Sequence, residues 1–188
     1  MKNGLKVIIA VAAVILVIVG IVAGSYNSLV TAQTAVETKQ ADIQTQLQRR
    51  ADLIPNFVST VKGYTKYEQE TLTAVTEARA KVGSANSAQS LSEADEELDK
   101  AISVWVNAVT EAYPDLKANS NYIALQDELA GTENRIAVAR KDYNEAVQSY
   151  NAMIKKFPKN IIAGMFGFEK ADFFNADSSA QTVPSVEF

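Results

Sequence analysis

Neither cysteine nor histidine occurs in the 188 residues. Without cysteine there are no disulfides, no thiolate metal sites and no thiol nucleophile. Without histidine the commonest general base and metal ligand is missing. The Glu-x-x-His pairs of a ferritin-like di-metal bundle cannot be built either. With those groups gone we expect no enzyme, no cofactor and no metal, and assign no catalytic, cofactor-binding or metal-ligating residue. Positive charge is short too: 18 Lys+Arg stand against 22 Asp+Glu, a net charge of -4, and the densest basic pairs are Arg49-Arg50 and Lys155-Lys156. Nucleic acid wants a concentrated basic face, so it is not an expected partner. Gly (8) and Pro (4) are scarce, below average usage of about 7% and 5%. Ala, Gln, Glu, Leu and Val fill their place, and the chain reads as all-α.

One long hydrophobic run is present. Val7 to Gly24 carries no charged residue and is apolar on every side, unlike one face of a soluble helix. At about 1.5 Å per residue it covers roughly 27 Å, enough for the hydrocarbon core of a bilayer. A cleaved signal peptide has a shorter apolar region and a small-x-small cleavage site; Val22-Ala23-Gly24 and Ala23-Gly24-Ser25 are mediocre sites, so a retained single-pass anchor is the expectation. Lys2 and Lys6 precede the run, and the next basic residue is Lys39. The positive-inside rule then keeps the N-terminus in the cytoplasm and places the following domain outside it. Gly20 and Gly24 have GxxxG spacing, a weak hint of helix association in the membrane.

No Pro or Gly interrupts the chain between Gly24 and Arg50, so the span can run on unbroken into the first helix of the bundle. Leu29, Val36 and Ile43, seven apart, make a thin coiled-coil-like stripe. The pattern predicts that this helix ends before Pro55, since the residue before Pro avoids helical geometry. A second helix is then predicted from Pro55 to Val82, with Phe57, Val61, Val75 and Val82 on its apolar face. The same face passes through Glu68, a carboxylate that needs a cation if buried; Arg50, Arg79 or Arg140 could supply one. Gly83 to Ser87 reads as a turn, and Ser92-Glu93-Ala94-Asp95 as a capping box opening a third helix. The acidic run from Glu93 to Asp99 then reads as a solvated helix start. Leu98, Ile102, Trp105 and Val109 form the third stripe, and Pro114 stops it. Asn119 or Ser120 caps a last helix of about 36 residues, roughly 54 Å, on which Tyr122, Tyr143 and Tyr150 recur. Asn134, Arg140, Asn144 and Asn151 lie at its seam edges, where polar groups fix register.

The boundaries are an anchor over 1–25, a helical bundle over 26–158 and an apolar packing segment with a polar tail over 159–188. Ile161, Ile162, Met165, Phe166 and Phe168 are too apolar for a free tail. With Lys159 and Lys170 as its only counted basic residues, the segment is a poor interfacial helix. A contact between subunits is preferred over folding back onto the protein's own helices.

Several motifs then converge. Tyr26-Asn27-Ser28-Leu29-Val30 follows the span, and Leu47-Gln48-Arg49-Arg50-Ala51-Asp52-Leu53-Ile54-Pro55-Asn56 ends the first stripe. Glu111-Ala112-Tyr113-Pro114-Asp115-Leu116-Lys117-Ala118-Asn119 joins the third and last helices. Thr132-Glu133-Asn134-Arg135-Ile136 and Tyr143-Asn144 lie in the last. In that order they resemble the LemA family of bacterial membrane proteins. The resemblance implies a single-pass anchor in the bacterial cytoplasmic (inner) membrane and an antiparallel four-helix bundle, without an established enzymatic activity. Asp52, Pro55 and Pro114 would shape corners; Arg50, Glu133, Asn134 and Arg135 would form a polar network where helices meet. The expected function is a self-associating, homo-oligomeric scaffold or adaptor of the cell envelope. The alternatives are a regulatory or substrate-presenting partner of a membrane protease, and a peptide or small-molecule binding bundle.

Overall fold

The computed structural model describes residues 2–61 and 69–174. Glu68 and the polar end beyond Asp177, with Val186-Glu187-Phe188, lie outside the described residues. The described residues are helical with short connections: α1 (Lys2–Val61), α2 (Gln69–Ser84), α3 (Ala88–Ala112), a 3-10 turn (Pro114–Ala118), α4 (Ser120–Met153) and α5 (Lys159–Phe166). Two compact units divide the chain.

The first unit comprises Met1–Thr38 and Glu145–Ala171. Its α1 portion carries the one described helix long and apolar enough to cross a membrane. Large side chains along the run stay open, from Ile21 at 50% exposed to Leu16 at 71%, so among the described residues that surface has nothing to pack against. Beyond the run, Leu29 is fully buried with Ile162 and Ala163 of α5, and Val22, Met153, Ile154 and Phe168 pack around them. Asn151 of α4 clamps the chain after α5: its Nδ2 donates to the Ala171 carbonyl at 2.8 Å, and its Oδ1 accepts from the Ala171 N–H at 2.9 Å. The preference for a subunit contact over folding back needs correction for one face of this segment, since Ile162 and Ala163 close on the chain's own α1. Gly167 ends α5 at φ 74, returning its N–H to the Ala163 carbonyl; a side chain there would be strained, which is why glycine serves.

The second unit comprises Lys39–Asn144 and Asp172–Phe188, and its helical parts come from α1, α2, α3 and α4. Polar pairs give the directions. Lys39 meets Asp142 and Arg50 meets Glu133, so residue numbers rise along α1 as they fall along α4. Lys81 and Glu97 bridge α2 and α3 across the turn that reverses them. The neighbours in both pairs are antiparallel. The core follows the predicted stripes: Ile43, Leu47, Val75, Leu98 and Val109 are fully buried. Phe57 meets the rings of Trp105 and Tyr122 edge-on, each at 5.1 Å, an arrangement worth about 0.5–1.5 kcal/mol beyond its area.

Two boundaries differ from the sequence reading. The break before Pro55 is not there, because α1 continues through it to Val61. A mid-helix proline costs about 3 kcal/mol. Ile54, Phe57 and Val61, 5%, 1% and 1% exposed, carry the apolar stripe straight across it. Their burial, roughly 1.5–3 kcal/mol each, outweighs the proline and holds the helix. The separate helix from Pro55 to Val82 is therefore replaced by the end of α1 and by α2. The second difference is the start of α3. Ser87, not Ser92, is its N-cap: Ser87 Oγ accepts from the Ser90 N–H at 3.2 Å, and Ser90 Oγ accepts from the Ser87 N–H at 2.9 Å. A serine at the third helical position does the work that Glu or Gln usually does in a capping box.

Candidate functional site

Starting α3 five residues earlier moves the acidic run out of the first turn and into the body of the helix. There Leu91, Asp95, Leu98 and Ile102, at steps of four, three and four, share one face, and all are buried. Asp95 is thus carried inward by its apolar neighbours, and its carboxylate is fully enclosed. An isolated buried carboxylate is very costly, so cations must meet it.

They come from two other helices. Arg50 of α1, only 4% exposed, holds Nη1 at 3.7 Å from Asp95 Oδ1. Arg140 of α4 pairs with Asp95 Oδ2. Arg50 also donates from Nη1 to Glu133 Oε2 at 2.6 Å and from Nη2 to Asp99 Oδ1 at 2.5 Å. Asp99 and Glu133 are partly exposed, 45% and 43%, and form the wet edge of the cluster. Phe174 covers the other side, with the Arg140 guanidinium 5.2 Å from its ring centroid, a cation–π distance. Asn144 fixes that covering residue by accepting from the Phe174 N–H at 2.9 Å and donating to its carbonyl at 3.0 Å. Two cations and three carboxylates from three helices therefore lock one register inside the unit.

The sequence candidates fall into three groups. Arg50, Glu133 and Arg140 meet in the cluster, around Asp95 and Asp99; Glu68 lies outside the described residues. Arg79 pairs instead with Asp52 at 3.5 Å on a half-open surface. Arg135 shares Glu128 with Arg49, each at 2.8 Å, and Asn134 is exposed beside a shallow groove with Asp42 and Asp142. Pro114 stops α3 as expected, and Asn119 caps α4 through Oδ1, which accepts from the Asn121 and Tyr122 N–H groups at 3.0 and 3.2 Å. The three tyrosines do not line one groove. Tyr122 belongs to the aromatic core, Tyr143 donates its hydroxyl to the Asp172 carbonyl at 2.8 Å, and Tyr150 lies buried in the other unit. Burial first, and the Asp172 charge second, push the Tyr143 hydroxyl pKa up. On the surface, hydrogen bonds from Lys39 to Asp142 and Asp42 raise the lysine's pKa.

What this arrangement does chemically is hold helices together. Among the described residues no group of three His, Cys, Asp or Glu is placed to hold a metal ion. The residues that sequence reasoning missed are Asp95 and Asp99. The signal was the Leu91–Leu98 spacing, which puts Asp95 on the inner face once the helix is allowed to begin before Leu91.

The LemA family model matches residues 39–188, four-fifths of the chain and every residue of the charge cluster. The chain belongs to the LemA family. Protein LemA of Metamycoplasma hominis is 29% identical over 153 residues, covering 81% of this chain and 67% of that protein. Magnetosome protein MamQ 2 of Paramagnetospirillum magneticum is 25% identical over 182 residues, covering 84% of this chain and 67% of the relative. Magnetosome protein MamQ of Magnetospirillum gryphiswaldense is 22% identical with the same coverage. Family membership and the apolar stretch of α1 describe a membrane-associated helical protein whose N-terminal helix fits a single-pass anchor.

Proposed function

We propose that this LemA-family protein is a membrane-anchored scaffold or adaptor of the bacterial envelope, self-associating and without catalysis of its own. The observation that carries the reading is α1, a single 60-residue helix that holds the apolar span near one end and Arg50 of the charge cluster towards the other. One helix that contributes to both the membrane span and the bundle suits a protein that holds partners at the membrane. Two further features support it. Gly20 and Gly24 have open space where a Cβ would stand, leaving room for a second span to approach closely. An open groove of about 680 Å³ runs along α1, lined by Ala41, Gln44, Gln48, Arg49, Leu53 and Asn56 among others, a mixed apolar and polar surface on which a partner helix fits. The anchor sits in the cytoplasmic membrane with Lys2 and Lys6 inside and the bundle outside.

Mass measurement of the full-length chain in lipid nanodiscs or mild detergent tests the scaffold. Defined oligomers at micromolar concentration are expected, weakened when Gly20 and Gly24 are both changed to Ile. A monomer under every condition overturns self-association. Protease added to spheroplasts tests the orientation: digestion of the bundle is expected, and protection until lysis reverses the topology.

A further inference from the structure

α5 has two faces with opposite fates. Ile162 and Ala163 are closed against Leu29 and Val22 of α1. On the other side Ile161 is 52% exposed, Met165 72% and Phe166 52%, and Phe157 in the preceding turn is 80% exposed. Ile161 and Met165 stand one turn apart on α5 with Phe166 beside Met165, so this is one apolar side of the helix and not scattered surface residues.

The height of α5 along α1 says what covers that stripe. Val22, under the buried face of α5, belongs to the apolar run that ends at Gly24. Tyr26, just past the run, meets the rings of Phe166 and Phe168 at 4.9 and 5.7 Å. Lys159 donates from Nζ to Ser28 Oγ at 2.7 Å. Each of these contacts with α1 therefore lies between residues 22 and 29, where the span leaves the hydrocarbon, the depth at which aromatic side chains concentrate in membrane proteins. The shortage of basic residues that argued against an interfacial helix is also eased: exposed Lys155 and Lys156 lie in the turn that leads into α5, and Lys170 follows it. A second copy of the chain is a poorer occupant, since a stable protein contact takes about 800 Å² per partner and this surface offers three large side chains on two turns of helix.

We propose that α5 is an interfacial helix: its Ile161–Met165–Phe166 side inserts into the headgroup–acyl boundary of the bilayer that α1 crosses, and the surrounding lysines meet anionic headgroups. The inference rests on α1 being a membrane span. It gives that span a second foothold, which fixes the tilt and rotation of α1 where a lone helix would be free to vary.

The absence of cysteine makes the test clean. Single substitutions Ile161→Cys, Met165→Cys, Val14→Cys and Val138→Cys in the full chain each carry one nitroxide label, and the protein is placed in vesicles of mixed phosphatidylcholine and phosphatidylglycerol. Collision with oxygen against a water-soluble nickel chelate reads the depth of each label. Labels at 161 and 165 are expected to lose most of the nickel collisions seen at exposed Val138, and to lie shallower than Val14. Nickel access at 161 and 165 equal to that at 138, with Val14 deep in the bilayer, overturns this inference and leaves the anchor standing. Spin–spin broadening at 165 that disappears on dilution with unlabelled chain also overturns it, in favour of a second copy. An aqueous Val14 sinks the anchor and the inference together.

Discussion

The unit of Met1–Thr38 and Glu145–Ala171 and the unit of Lys39–Asn144 and Asp172–Phe188 bury opposite things. The second encloses charge: Asp95 and Arg50 are almost without solvent contact, and each meets its counter-ions within the unit. The first leaves its large apolar side chains open along the span and on α5. Ordinary burial logic is inverted between them because their surroundings differ. A bundle in water can hide an ion cluster and gain register from it, whereas a helix in lipid has no reason to hide leucine and valine. Among the described residues, the cluster is thus a device of assembly within the chain, and the open apolar surface is where the chain meets something else.

That contrast can be broken at several points. The largest effect is expected at Asp95→Ala, which leaves Arg50 and Arg140 facing each other without the shared carboxylate; loss of one member of a buried pair costs about 3–5 kcal/mol. Denaturant unfolding in nanodiscs, followed by the fluorescence of Trp105 in the same unit, reads it. A loss under about 1 kcal/mol would mean that the cluster is solvated and the contrast is wrong. Replacing Arg50, Asp95 and Arg140 together by Met, Leu and Met sharpens the point, since removing all three is expected to cost less than removing Asp95 alone.

Next come the asparagine clamps, one in each unit. Asn151→Ala and Asn144→Ala each remove two hydrogen bonds to partly buried backbone, for about 1–3 kcal/mol. Faster amide exchange is expected at Ala171 for the first and at Phe174 for the second. Equal loss of protection at both amides in either variant would show that the two units open together.

Alkaline pH gives a smaller effect. Burial, then Asp172, raises the Tyr143 pKa; burial, then Glu169 and Glu37, raises that of Tyr150. A tyrosine with a raised folded pKa leaves stability unchanged below its unfolded value of about 10 and withdraws it as the pH climbs above that value. Tyr143→Phe should flatten this alkaline decline in a pH series of unfolding midpoints, and an unaltered slope would remove the tyrosine from the explanation. Least of all, Met165→Asp should shift unfolding of the second unit by under about 0.5 kcal/mol, because Met165 touches water or lipid and no core. A larger shift in the Trp105 transition would tie α5 to that unit's stability.

Much of this was legible from residue spacing. The span, the stripes through Leu29, Val36 and Ile43 and through Leu98, Ile102 and Trp105, the stop at Pro114 and the cap at Asn119 all follow local rules, and there the local and tertiary terms agree. Pro55 and Asp95 were misread because they disagree. At Pro55 a local penalty is overruled by the burial of Ile54, Phe57 and Val61. At Asp95 a polar residue is drawn inward by Leu91 and Leu98 and neutralised by arginines 45 residues away on either side, a distance at which helical periodicity carries no information. Of the partners of Arg50, Glu133 was anticipated from the motifs, while Asp95 and Asp99 were not. The two faces of α5 could not be separated from sequence, since one apolar run supplies both.

The central claim is that α1 carries the span and the cluster-bearing bundle on one unbroken helix. Amide hydrogen exchange along Gly20–Arg50, measured on the full chain in lipid nanodiscs, tests it most directly. Protection that continues from Gly20 through Tyr26 and Leu29 to Arg50, without a fast-exchanging interval, is the expected result. A stretch of several unprotected amides between Gly24 and Val36 would mean that anchor and bundle are joined by a hinge, and would contradict the claim.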